Sequence, residues 1–86
     1  MNQLAVSLAG HDRGSVYAIV REEEGMVLLA DGRLKTLDRP KKKNAKHIRR
    51  IGNLPGEIKE ELGKVSRDCD LIHVLRRYQA YQKEKR

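Results

Sequence analysis

Between Leu4 and Leu37 four short apolar runs alternate with glycine-bearing or charged turns, and none is long enough for helical periodicity to develop. LAVSLA (residues 4–9) sets Leu4, Val6 and Leu8 against Ala5, Ser7 and Ala9, the period-2 pattern of a half-buried strand. GHDRG follows as a turn, with two glycines bracketing three polar residues. SVYAIV (15–20) is rich in β-branched and aromatic residues and pairs naturally with the first run. REEEG reads as a charged loop and MVLLA (26–30) as a buried third strand. Asp31-Gly32 then predicts a type I′ hairpin turn, returning through RLKTL (33–37) with Arg33 and Lys35 towards solvent. Pro40 closes this part, because proline cannot donate to a ladder.

Such a succession predicts a small, curled antiparallel sheet, and closure into a barrel would remove its exposed edges. After residue 50 the period changes. Leu54, Ile58 and Leu62 recur at helical spacing before Gly63, which predicts one short helix. From Ser66 onward Leu71, Val74, Leu75, Tyr78 and Tyr81 or Gln82 form one apolar stripe, with Ser66 or Asp68 as cap and acidic residues at the N-terminal end. The expected class is mainly β (α+β): residues 1–50 as the sheet with a basic extension, residues 51–86 as a helical extension folded back to enlarge a thin core.

The charge is distributed unevenly. Of the formal +7, residues 33–50 contribute nine basic against one acidic residue, while residues 1–32 are net acidic. A basic stretch of this kind suits a polyanion, since phosphates relieve its self-repulsion and release condensed counterions. No unbroken apolar run approaches the roughly 20 residues that a membrane-spanning helix requires. The first residues carry no basic charge ahead of their apolar patch, so no secretory signal is expected, and the single Cys69 cannot form an internal disulfide. These features point to the cytoplasm.

The order GHDRGSVYAIV, VLLADGRLKTL and RPKKKNAKH resembles the KOW-domain proteins of the ribosomal large subunit and of transcription elongation, and in particular small bacterial KOW-domain RNA-binding proteins. The matching positions are Gly10, Asp12, Gly14, Asp31, Gly32, Pro40, Lys41, Lys42, Lys43, Asn44, Lys46 and His47, within a resemblance that covers about residues 4–48. It implies an SH3-like β-barrel that binds structured, ribosomal RNA.

With Tyr17, Tyr78 and Tyr81 as the only aromatics, there are too few rings for a base-stacking platform, so recognition of phosphate and RNA shape is expected. Engaging about six phosphates gives a log-log salt slope of roughly −4 to −5. The candidate RNA-binding residues are Arg13, Lys35, Arg39, Lys41, Lys42, Lys43, Lys46, His47, Arg49 and Arg50, and replacing Lys41 to Lys43 with glutamine is expected to leave the fold intact. His11 can accompany Arg13. Cys69 and His73, at i and i+4, lack the further ligands of a metal site or the orienting acid of a catalytic pair, and no phosphate-cradling glycine loop is present. Neither enzyme nor cofactor is expected. An alternative is an interaction adaptor docking on the ribosome or transcription machinery, with the final helix as the surface for a protein partner. DNA binding is disfavoured, because no recognition helix follows a turn.

Overall fold

The computed structural model describes residues 1–84 and contains a five-stranded antiparallel sheet with two α-helices. The strands are β1 (Leu4–Ser7), β2 (Val16–Glu23), β3 (Met26–Ala30), β4 (Lys41–Asn44) and β5 (Ile48–Arg50), and the helices are α1 (Gly56–Gly63) and α2 (Asp68–Glu84). A single 3₁₀ turn, Ala45–His47, separates β4 from β5. The sheet order is β4-β3-β2-β1-β5.

Two of the expected turns are corrected. The type I′ turn falls at Glu24-Gly25, where both residues have positive φ (42° and 80°) and Glu23 stands opposite Met26. Thus REEEG is mostly strand. At Asp31-Gly32 only the glycine has positive φ. The Asp31 carboxylate instead accepts the N–H groups of Arg33 and Lys35 at 2.9 and 3.0 Å, folding the chain into a local loop. RLKTL is therefore no strand: Leu37 N–H goes to Asp68 Oδ1 of α2 at 2.8 Å rather than to a ladder. The partner of β3 is the basic run itself, with Met26 opposite Asn44 and Leu29 opposite Lys41.

The sheet is strongly curled. In a flat five-stranded sheet the edge strands stand about 19 Å apart, whereas the three residues of the 3₁₀ turn span at most about 14 Å between Asn44 and Ile48. A bulge between Ile19 and Arg21 helps the curvature. Yet β4 and β5 share no ladder, so the sheet is open rather than a closed barrel.

Both faces are covered. On the concave face Ala5, Tyr17, Ile19, Val27, Leu29 and Ile48 pack together. On the convex face Leu4, Ala18 and Ala30 meet Ile58 and Leu62 of α1 and Leu71, Val74, Leu75 and Tyr78 of α2. The expected helical stripe is thus buried on the sheet, and the alanines beneath it allow close approach. Sheet and helices share this core cluster. β1 is consequently buried on two sides at Leu4 and Ala5, while Leu8, expected to line the core, is 45% exposed beyond the strand's end.

At the start of α2 the Asp70 carboxylate accepts the N–H groups of Ser66 and Arg67, the role expected of Ser66 or Asp68, and these backbone bonds hold its carboxyl below the ordinary carboxylate range. Asp68 is occupied with Leu37. Arg77 of α2 pairs with Glu57 (3.2 Å) and Glu61 of α1. Among the described residues no helix is long and apolar enough to cross a membrane.

Candidate nucleic-acid interface

The loop GHDRG is shaped by its two glycines, at φ +87° for Gly10 and +89° for Gly14. Gly14 N–H donates to Ser7 O (2.8 Å) and Ser15 N–H to Asp12 O (2.9 Å). This reversal turns Asp12 back over the concave face. There its carboxylate accepts Lys41 Nζ at 2.6 Å, Lys43 Nζ at 2.9 Å, Ser7 Oγ at 2.9 Å and Tyr17 Oη at 2.9 Å. Lys43 spends its remaining donors on Ser7 Oγ (2.6 Å) and Ala9 O (2.7 Å), and its side chain is only 10% exposed. In a flat sheet β4 and β1 would lie about 14 Å apart; the Lys43–Ser7 contact is the clearest mark of the curl.

Burial by itself would raise the Asp12 carboxyl, but the bonds from Lys41, Lys43, Ser7 and Tyr17 outweigh it and hold the group well below the ordinary carboxylate range. Burial, followed by the bond to Asp12 and its charge, pushes the Tyr17 phenol up to about 12. The signs give a pH profile. Asp12 binds protons more readily unfolded than folded, so its contribution to stability is present above about pH 4 and is lost on acidification. Tyr17 holds its proton more tightly when folded, so its contribution is present below about pH 10 and is lost between about pH 10 and 12. Thermal unfolding across this range should show a plateau with both flanks falling, and Tyr17→Phe should flatten the alkaline flank.

Strand alternation divides the basic run. Lys41 and Lys43 lie opposite Leu29 and Val27 and face inward, whereas Lys42 lies opposite Leu28 and faces outward. Replacing all three lysines therefore cannot leave the fold untouched, because two of them hold Asp12. Arg50 is also engaged, with Gln3 at 2.8 Å and with Glu22. Lys35 is half-buried, and its backbone closes the Asp31 loop. The remaining candidates, Arg13, Arg39, Lys42, Lys46, His47 and Arg49, are exposed and have no ion-pair partner among the described residues.

Several of these meet at one end of the sheet. Leu8 N–H donates to His47 O at 2.8 Å, which joins the loop carrying His11 and Arg13 to the turn carrying Lys46 and His47. Arg49 follows on β5, opposite Val6. Arg39 lies on the separate loop that Asp68 holds to α2.

Sequence reasoning missed Asp12 as an anchor. The available signal was the i, i+2 spacing of Lys41 and Lys43, which puts two cations on one face of a strand and requires a carboxylate there. Cys69 and His73 are exposed on α2, and no three potential ligands cluster closely enough to hold a metal among the described residues. The arrangement can therefore present a fixed row of guanidinium and ammonium groups around a rigid corner. Comparison with protein-family models and with curated proteins finds no match to this chain.

Proposed function

We propose that the protein is a non-enzymatic RNA-binding module of the cytoplasm, its curled sheet an open variant of an SH3-like barrel, that recognises structured ribosomal RNA through phosphate contacts. One observation carries the reading. After Asp12 and Glu22 have taken Lys41, Lys43 and Arg50, the cations Arg13, Arg39, Lys42, Lys46 and Arg49 remain exposed and unneutralised on short, hydrogen-bonded segments. Leaving like charges together in a small fold costs stability, and a polyphosphate removes that cost. The KOW-like order of the loops and the basic run supports the same reading.

Five engaged cations correspond to a log-log salt slope of roughly −3.5 to −4.5. Replacing Lys42, Lys46 and Arg49 together with glutamine should reduce the slope by about 2 to 3 with an unchanged melting curve. Filter binding of folded ribosomal RNA across a salt series measures this, and an unaltered slope contradicts the proposal.

The adaptor reading has one observation in its favour. Leu34 is 87% exposed on the loop fixed by Asp31. The stripe of α2 is already buried, so Leu34 takes its place as the candidate anchor. Ribosome association abolished by Leu34→Ser, with RNA affinity intact, favours the adaptor.

A further inference from the structure

Arg76 and Arg77 are neighbours on α2 with opposite fates. Arg77 is held by Glu57 and Glu61 of α1. Arg76 points to the other flank, exposed and without an ion-pair partner among the described residues. On that flank a groove runs between α2 and the sheet. Its first part is lined by Arg33, Arg76, Gln79 and Gly14, and its second part by Gly14, Arg49 and Asn53, continuing to Gln82. From Ile72 to Gln82 the helix covers about 15 Å.

Gly14 forms the shared floor. A Cβ built there would meet nothing within 4 Å, so a ligand backbone can come close at that point. The acidic group in the groove is Asp31, and its Oδ1 is occupied by the N–H groups of Arg33 and Lys35. Three arginines thus face a polar trough, while on the α1 flank Glu57, Glu60 and Glu61 line a cleft together with Lys64 and Arg77. Guanidinium groups bind phosphate in bidentate fashion, and side-chain amides suit ribose hydroxyls and phosphate oxygens.

We propose that this groove is a second phosphate-binding surface, in which Arg33 and Arg76 hold the strand of RNA that continues past Arg49. The inference rests on the RNA-binding reading and extends it to residues outside the basic run. On the α1 flank Arg77 is taken by Glu57 and Glu61 and Lys64 by Glu60, so the unpaired guanidinium groups of the groove lie on the other side of α2.

The test is the double variant Arg33→Gln with Arg76→Gln, measured on folded ribosomal RNA beside wild type. Both side chains are exposed and unpaired, so melting should not change. The expected result is a salt slope smaller by about 1.5 to 2. Lys59→Gln with Lys64→Gln removes equal charge from α1 and the residue that follows it, and should leave the slope within about 0.5 of wild type. Equal losses in the two double variants overturn the groove and leave only net charge. An unchanged slope in Arg33→Gln with Arg76→Gln, while the Lys42, Lys46 and Arg49 variant is weakened, also overturns the groove but spares the RNA-binding reading. Failure of wild type to bind overturns both.

Discussion

Replacing Asp12 with alanine is expected to unfold much of the protein at physiological temperature. The substitution leaves the ammonium of Lys43, 10% exposed, with no counter-charge, strips Tyr17 of its acceptor and leaves Ser7 only Ala9 O. Removing one partner of a buried ion pair costs about 3 to 5 kcal/mol, because the other charge stays in a medium that solvates it poorly. A domain this small has a total stability near the lower end of about 5 to 15 kcal/mol. At roughly 4 to 8 °C per kcal/mol, the midpoint should fall by about 15 °C or more. Asp12→Asn combined with Lys43→Met removes both charges. It should be more stable than the sum of its single variants implies, with a coupling of about 1 to 3 kcal/mol. A melting midpoint for Asp12→Ala equal to that of wild type contradicts the anchor role, as does strict additivity in the double variant.

Gly32→Ala should have the second-largest effect. Gly32 has φ +84°, and a Cβ there would lie 2.6 Å from Asp68 O and 2.9 Å from Ile72 Cγ1. The first obstacle is helix backbone, which can yield only if the first turn of α2 moves and with it the Asp68 carboxylate that holds Leu37. The left-handed conformation costs about 1 to 2 kcal/mol and the overlap a further 1 to 3. Gly14 is the control. It has a similar φ, +89°, but open space around it, so Gly14→Ala should incur the conformational cost alone. Urea midpoints of the two variants measure the difference, expected at about 1 to 3 kcal/mol. Equal midpoints would show that α2 does not press on Gly32.

The first three strands and both helices could be read from the sequence because apolar periodicity reports burial. Leu71, Val74, Leu75 and Tyr78 make contact where their spacing places them. β4 was hidden by the same logic. Its inward positions are Lys41 and Lys43, which satisfy a carboxylate, so no hydrophobic alternation marks the strand. The hairpin turn was misplaced because Asp31 competes for backbone N–H groups with its own side chain, while Glu24, a residue with no preference for positive φ, adopts it next to Gly25.

The candidate interface was legible as charge but not as geometry. A basic run in a sequence looks uniform, whereas a strand sends alternate lysines to opposite faces. Which of them remain available depends on Asp12, a residue some thirty positions away. Arg33 and Arg76 are not among the candidates read from the sequence for a similar reason: only the packing of α2 against the sheet puts them in one groove.

The central claim is that unneutralised cations at the curled end of the sheet grip a phosphate backbone. Equilibrium binding of the intact protein to folded ribosomal RNA, followed from about 50 to 200 mM salt, measures this directly. The expected log-log slope is about −3.5 or steeper, with affinity falling more than a hundredfold across that range. No binding at the low-salt end, or affinity independent of salt, would contradict it.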